Sequence, residues 1–430
     1  MTAVRLVLRG LWLGLLLLGH GLFWLVGWLV LLVTLRGKAR RQAWFAARFT
    51  ALLVAMGATF IKVGQIMSTR PDLLPPHVIS ALTRLQDDVG PFAYRHVERA
   101  FVVDFGAPPD QVLARFDRAP LASASVAQVH RGQTKDGREV AIKVRRPGLP
   151  HVVKFDLTLM RSVAWLLGLI PPIRLFAPVE SVDEFGRAVA AQIDFTREAG
   201  NNRRFAANFA GDRDVRFPGL VDELCSAQVL TMEFIDGVKV LDGPRQYGLD
   251  PARLARIGFR TLLKMAFADG FVHADLHPGN ILVDRAGTVI IIDLGLTAEL
   301  DDHHRRHFAE FFAAWAAADG VAMARVTRIL SPTKVVRDPA AFERDFCVFA
   351  EKYKGKALGE VSGGRVALDA LNVLRKHRVR ANPTLTMCNV AIALTEGIGK
   401  QLDPSLDLMR EALPFFAGLV APTSSPPRRP

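Results

Sequence analysis

Cysteine is scarce in this chain. Cys225, Cys347 and Cys388 are the only three in 430 residues. Scattered and odd in number, they exclude a disulfide framework and supply no zinc-ligand spacing, so they read as reduced, buried thiols in a reducing compartment. No basic stretch is interleaved with aromatics as a nucleic-acid groove requires, although the net charge is +13 and the pI near 10.1. An anionic bilayer suits that charge with fewer assumptions. No A-x-A-like cleavage site follows the first apolar run, which argues against a secretory signal peptide. No internal repeat is present.

What the N-terminus does have is apolar length. Gly10 to Leu35 contains no Asp, Glu, Lys or Arg, only His20 as an ionisable group, and carries Trp12, Trp24 and Trp28. At about 1.5 Å per residue this run can cross a hydrocarbon layer of roughly 30 Å with some tilt. It reads as a retained transmembrane helix, with a monotopic or re-entrant helix as the alternative. Gly10 and Gly14 form a G-x-x-x-G that reads as packing tolerance before it reads as a dimer face. Arg5 and Arg9 precede the run, while Arg36, Lys38, Arg40 and Arg41 follow it. The positive-inside tendency then places the rest of the chain on the cytoplasmic side of the cell inner membrane.

Past this anchor, residues from about Arg41 to Ala119 carry apolar positions at helical spacing, with a break at Arg70-Pro71. Lys62 and Gln65 share a helix face, and on composition alone they are solvated. The period then changes to that of strands: Val126 to His130 and Glu139 to Val144 flank Lys135-Asp-Gly-Arg138, a hairpin signature. After Pro147 come an apolar helix through Leu157 to Leu169, a Pro171-Pro172 break, and a long helical stretch opened by Ser181-x-x-Glu184 as a capping box. Asp194 and Glu198 are four apart on that stretch and could be no more than an acidic stripe. A helix with Pro251 in its first turn repeats apolar residues at Leu254, Ile257, Leu262 and Met265 and is expected to be buried. Pro422 to Pro430 reads as a disordered tail.

The chemistry concentrates at His273-Ala-Asp275-Leu-His277-Pro-Gly-Asn280, followed by Asp293-Leu-Gly295. This is the H-x-D-x-x-x-x-N then D-x-G order of kinase catalytic and metal-binding loops. Asp275 suits a substrate hydroxyl, and Asn280 and Asp293 offer hard oxygen ligands to Mg²⁺. Two short β runs around Ala286-Gly287 would return Asp293 beside Asn280; a buried hairpin with incidental polar loops is the bland alternative. Upstream, Val140-Ala-Ile-Lys143 matches the strand whose lysine reaches the α/β-phosphates of ATP or ADP, and Glu198 is the candidate partner of Lys143. Where a kinase has G-x-G-x-x-G, this chain has Ala122, Ser123, Ala124 and Ser125, all with a Cβ. Val229 to Ile235 reads as the strand and hinge that meet adenine, through Glu233 and Ile235. There is no A-P-E and hardly room for an activation segment, which is where a protein kinase docks its peptide.

These residues together resemble the UbiB family of atypical kinase-like proteins, over roughly Ala51 to Leu300. Besides the kinase pieces, the resemblance rests on Lys62-Val-Gly64-Gln65, the loop Ala122 to Ser125 with Gln128-Val-His130, and Asp194-Phe with Glu198-Ala-Gly-Asn201. It implies an α+β, two-lobed protein-kinase-like fold with a helical N-terminal extension and an N-terminal transmembrane helix. The expected divisions are an anchor at 1–40, the extension at 41–118, a smaller lobe at 119–235, a larger lobe at 236–421 and the tail at 422–430. It also implies Mg²⁺-nucleotide binding and a role in ubiquinone or related isoprenoid-lipid metabolism. In this family the helix of Lys62 covers the active site, and its lysine is expected to meet an E-x-D. Here that reads Gln192-Ile-Asp194, leaving only Asp194 as an ionic partner. Ser123, Leu276 and Leu294 depart from the usual alanine, proline and phenylalanine, and none removes a phosphate or metal ligand. Bacterial relatives more often carry their membrane segment at the C-terminus.

The expected activity is a membrane-bound ATPase or small-molecule phosphotransferase. A protein kinase and a non-catalytic, nucleotide-switched lipid-binding scaffold are the competing expectations. The expected partners are a membrane lipid, in particular an isoprenoid quinone or precursor, and quinone-biosynthesis proteins, with no nucleic acid and with room for a homodimer.

Overall fold

The structure is a computed structural model of the chain, described over residues 3–33, 37–68, 74–82, 85, 90–170, 178–332, 335–354 and 363–405. The breaks expected at Arg70-Pro71 and Pro171-Pro172 and the tail from Pro422 lie outside these residues. The chain divides into two compact units, Met1–Arg203 with Pro218–Ile235, and Arg204–Phe217 with Asp236–Pro430.

The first unit opens with helices α1 (Ala3–Val33), α2 (Lys38–Met56), α3 (Ala58–Ser68) and α4 (Pro76–Leu82). Leu13, Leu52, Leu53, Met56, Phe60, Val78 and Leu82 form their shared core. The sharp reversal between α2 and α3 falls on Gly57 at φ +95°, a conformation that a side chain would strain. Helices α5 (Arg95–Phe105) and α6 (Pro109–Val112) then lead into strands β1 (Arg115–Phe116), β2 (Ala122–Ser123), β3 (Ala127–Gln133) and β4 (Glu139–Arg145). With β6 (Val229–Glu233) they make an antiparallel sheet in which β4 lies between β3 and β6, and β1 and β2 both pair with β3. The strands therefore begin at Arg115, inside the stretch that apolar spacing marks as helical. The β3–β4 hairpin turns through Gly137 at φ +90°.

Alternation along β4 divides its side chains between two faces. Val140, Ile142 and Val144 are fully buried against Val97 and Phe101 of α5. Lys143 consequently projects from the opposite face. The remaining helices of this unit are α7 (Leu149–Gly168), α8 (Pro178–Gln192) and α9 (Phe195–Asn208), the last passing into the second unit after Arg203. Helix α8 starts three residues before Ser181, so Ser181-x-x-Glu184 lies within the helix and is not its N-terminal capping box. The long helical stretch is also interrupted, because α8 ends at Gln192 and α9 begins at Phe195.

In the second unit, β5 (Val215–Arg216), β10 (Val289–Ile291), β9 (Ile281–Val283) and β7 (Val238–Lys239) form a sheet in that order, with only the β5–β10 pair parallel. A two-stranded sheet pairs β8 (Phe271–His273) with β11 (Thr297–Glu299). After the short α10 (Gly243–Tyr247), helix α11 (Pro251–Leu263) is capped by Asp250, whose Oδ1 accepts from the Ala252 N–H at 2.9 Å. Leu254, Ile257 and Leu262 are buried as their spacing requires, and Met265 is buried in the wide turn Lys264–Asp269 that follows. Helices α12 (Asp302–Ala316), α13 (Gly320–Leu330), α14 (Pro339–Tyr353), α15 (Gly363–Lys376) and α16 (Pro383–Leu402) complete the unit. Of the three cysteines, Cys388 is buried in this core, while Cys225 and Cys347 are only partly covered; all three are free thiols. Burial pushes the Cys388 thiol up to about 12.

Candidate active site

Lys143 leaves β4 on the face covered by the first turns of α9. Its Nζ donates to both carboxylate oxygens of Glu198, at 2.8 and 2.9 Å, and lies 5.3 Å from the centre of the Phe195 ring. Glu198 is nearly inaccessible, with 4 % of its side chain exposed against 15 % for Lys143. The pair expected from the V-A-I-K strand is therefore formed. The two-point contact fixes the lysine where a point positive charge can meet phosphate oxygens.

In the second unit the loops expected to carry catalysis and metal binding, at Asp275 and Asp293, are tied together by His273. Its Nδ1 accepts from the Asp275 N–H at 3.1 Å, and its Nε2 donates to the Asp293 carbonyl. These roles require the neutral Nε2–H tautomer, and burial accordingly lowers the His273 pKa. The β9–β10 hairpin pairs Ile281 with Ile291, and the Ile292 N–H donates to the Asn280 carbonyl at 3.0 Å. Asp293 thus returns beside Asn280 as the two short β runs imply. The Asn280 amide donates through Nδ2 to the Asp275 carbonyl at 3.1 Å, which turns Oδ1 away from that contact. Asp293 Oδ1 accepts from the Gly295 N–H at 3.1 Å. A carboxylate and an amide oxygen on adjoining backbone segments fit Mg²⁺, which takes few protein ligands and completes its shell with phosphate and water. Among the described residues no group of three His, Cys, Asp or Glu could hold a metal without such help. The chain from Asp293 reaches α12 at Asp302 with only β11 between, leaving no extended activation segment.

An ABC1 atypical kinase-like domain matches residues 84–327, and a UbiB helical domain matches residues 347–407. The chain belongs to the UbiB family. It is 35 % identical over 382 residues to the probable protein kinase UbiB of Erwinia tasmaniensis, covering 87 % of this chain and 70 % of that one. To the protein of the same name from Aliivibrio fischeri it is 33 % identical over 387 residues, 88 % of this chain and 71 % of that one. Among solved structures, the erythromycin complex of Rv3197 from Mycobacterium tuberculosis aligns with 82 % of this chain and 92 % of its own, at a TM-score of 0.55 and 25 % identity. The fold is α+β and kinase-like, as the motif order implies.

The UbiB-specific elements depart from expectation at one point. Lys62 is half-buried on α3, yet among the described residues no ion pair joins it to Asp194. The reason is local. Asp194 sits in the break between α8 and α9, where its Oδ1 accepts from the Thr196 N–H at 3.1 Å and the Thr196 hydroxyl at 2.7 Å, capping α9. Arg145 is a competing cation: its Nη1 donates to the Ile193 and Ala227 carbonyls, both at 2.8 Å, and Asp194 partly offsets the burial that lowers its pKa. Gln192, in place of the acidic residue expected there, is buried with an Oε1 that has no hydrogen-bond partner among the described residues. Gln65 does not join Lys62 in one contact either, because its Nε2 donates to the Leu85 carbonyl at 3.3 Å.

The loop Ala122 to Ser125 contains no positive φ. It is a tight β2–β3 connection closed by the Ala124 N–H donating to the Ala127 carbonyl at 2.7 Å. Arg146 clamps it, with Nε donating to the Ala124 carbonyl at 2.8 Å and Nη2 to Ser123 Oγ at 3.0 Å. Neither Arg145 nor Arg146 stands out in the sequence; their position two and three residues past a V-A-I-K strand lysine is the only signal. Gln128 and His130 form a second anchor. Gln128 Oε1 accepts from the Phe92 N–H at 3.0 Å, its Nε2 lies 2.8 Å from His130 Nε2, and His130 Nδ1 lies 2.8 Å from the Asp117 carbonyl. Glu233, the last residue of β6, accepts from the Gly219 N–H at 3.3 Å, while Ile235 ends the first unit.

Proposed function

We propose that this UbiB protein is a membrane-associated, Mg²⁺-dependent ATPase or small-molecule phosphotransferase supporting ubiquinone or related isoprenoid-lipid metabolism. The observation that supports it most is the buried two-point Lys143–Glu198 contact, which a chain without nucleotide chemistry has no physical need to hold. Lys143 binds the α/β-phosphates and Glu198 orients it; Glu233 and Ile235 offer backbone to adenine, and Ala122 to Ser125 cover the phosphates. Asn280 and Asp293 hold Mg²⁺, which when bound neutralises charge on the phosphate oxygens. Asp275 takes the proton of the attacking hydroxyl or water as its oxygen bonds to the γ-phosphorus and the bond to the β-phosphate oxygen breaks, releasing ADP. His273 keeps the backbones of Asp275 and Asp293 in register. The apolar α1 brings the chain to the cytoplasmic face of the inner membrane, where ATP is present. Protein purified with anionic lipid should release phosphate from ATP, and Asp293→Asn should reduce release to background; equal rates for the two would refute the reading.

The relatives' name favours a second reading, transfer to a protein. The short passage from Asp293 to α12 weighs against it, because it offers no segment on which a peptide can be laid out. Labelled phosphate moving from ATP onto co-purified proteins, and lost with Asp275→Asn, would establish that reading instead. Quinone profiling of a deletion strain tests the lipid assignment separately, since a normal profile removes it and leaves the nucleotide chemistry standing.

A further inference from the structure

Helix α1 is apolar enough over Val7–Trp24 to cross a bilayer, but it does not stand alone. At its start Arg9 makes a two-point ion pair with Asp156 of α7, Nε to Oδ1 at 2.7 Å and Nη2 to Oδ2 at 2.6 Å, and Nη2 also donates to the Met56 carbonyl of α2 at 3.3 Å. Asp156 is fully inaccessible, so this end of α1 is fixed to the protein body. Leu13 is buried with Leu52 and Met56, Trp24 stacks obliquely on Phe45 with ring centres 5.4 Å apart, and a Cβ on Gly27 would lie 2.2 Å from the Trp44 ring. The contact with antiparallel α2 therefore runs from Arg9 to Gly27, about 27 Å at 1.5 Å per residue, close to a whole hydrocarbon thickness of roughly 30 Å.

Helix α2 is not a membrane helix. It carries Lys38, Arg40, Arg41 and Arg48, with the Arg48 guanidinium 4.9 Å from the centre of the Phe23 ring, about two thirds of the way along α1. It also packs against α3 and α4. An α1 that crossed the bilayer with this packing intact would carry Arg48 and the other basic side chains of α2 into or through the membrane with it, which is unfavourable for charged groups. The outward side of α1 has the opposite character. Leu11, Leu15, Leu18, Leu22, Val26 and Leu29 recur every three or four residues and are each more than half exposed. That is one straight apolar stripe along the helix.

A second apolar surface lies on α7. Beyond Asp156 the helix projects Val163, Trp165, Leu166 and Leu167, followed by Leu169 and Ile170, all at least 41 % exposed. Residue 163 lies about 10 Å along α7 from Asp156, the partner of Arg9 on α1. The charge complement is also present: residues 1–71 contain nine Lys and Arg and no Asp or Glu.

Resting on the membrane association proposed above, we propose that α1 lies in the plane of one anionic leaflet with its leucine stripe inserted, and that the end of α7 enters the same leaflet as a second anchor. The basic side chains of α2 stay at the level of the headgroups. In this placement α1 is monotopic, and it does not reach the far leaflet.

The test uses the full chain with Cys225→Ser, Cys347→Ser and Cys388→Ala, and a single environment-sensitive label at Leu11→Cys, Leu18→Cys, Leu29→Cys or Leu166→Cys. The protein is reconstituted by detergent removal into phosphatidylglycerol and phosphatidylethanolamine vesicles, and label depth is read by spin-labelled lipids. All four labels should lie at one shallow depth, and Trp165→Ser with Leu169→Ser should weaken partitioning of the unlabelled protein at least tenfold. A deep Leu18→Cys label between shallow Leu11→Cys and Leu29→Cys labels would mean that α1 spans, overturning the in-plane placement while leaving membrane association intact. A Leu166→Cys label that stays in water on bound protein would overturn the second anchor. Failure of the protein to float with vesicles at all would overturn the membrane reading itself.

Discussion

His130 illustrates how one side chain carries information that motif spacing does not. Its burial lowers the imidazole pKa from 6.5, and the Asp117 carbonyl only partly opposes this. The unfolded chain therefore binds more protons than the native one as pH falls below about 6.5, so stability present at neutral pH is lost from there down toward the lowered native value. His130→Asn should be less stable than wild type at pH 7.5 and should reduce the fall in urea-unfolding free energy between pH 6.5 and 5 by up to about 1.4 kcal/mol per pH unit. Parallel pH profiles for the two proteins would remove His130 as a source. Lys62 makes the converse case: half-buried and with no ion pair to Asp194, it should tolerate Lys62→Ala at a folding cost within about 0.5 kcal/mol. If its helix covers the pocket as the UbiB resemblance implies, the same variant should shift the ratio of ATP to ADP affinity. Calorimetry with both nucleotides decides this, and unchanged affinities would return Lys62 to an ordinary surface lysine.

At the scale of elements, legibility followed period and chemistry. The β3–β4 hairpin, the V-A-I-K strand and the β9–β10 return were readable because alternation and Gly137 or Gly287 determine them locally. The start of α8 and the break before α9 were not, since Ser181-x-x-Glu184 satisfies a capping pattern from inside a helix and Asp194 is identified as a cap only by its bond to Thr196. Gly64 was readable as a motif residue but not as a packing residue. A Cβ there would lie 2.7 Å from Leu85 Cδ1 and 2.9 Å from Leu53 Cδ1, so the glycine lets α3 approach its neighbours. Gly64→Ala should be close to neutral, because flexible leucine ends can shift and alanine gains about 1 kcal/mol of helix propensity. Gly64→Val should lose about 1–3 kcal/mol by overpacking. Denaturant midpoints order the three proteins, and a valine variant as stable as wild type would show the space to be open.

At the scale of the whole molecule, the sequence distinguished a nucleotide-binding body from an apolar N-terminus, but it could not show that α1 is flanked along its length by the basic α2. That depends on Gly27 against Trp44 and Arg9 against Asp156, contacts 17 and 147 positions apart in the chain. Under the proposed chemistry a bound nucleotide should stabilise the native chain as a ligand does, by about 2.7 kcal/mol at a hundredfold excess over its dissociation constant. The thermal midpoint should therefore rise with ATP and Mg²⁺ and rise less when EDTA exceeds the metal. Asp293→Asn should abolish the metal-dependent part while keeping a metal-free nucleotide shift, whereas Lys143→Met should diminish both. A full Mg²⁺-dependent shift in Asp293→Asn would remove that carboxylate from the metal site, and an undiminished nucleotide shift in Lys143→Met would show that the Lys143–Glu198 pair serves the fold without serving the phosphates.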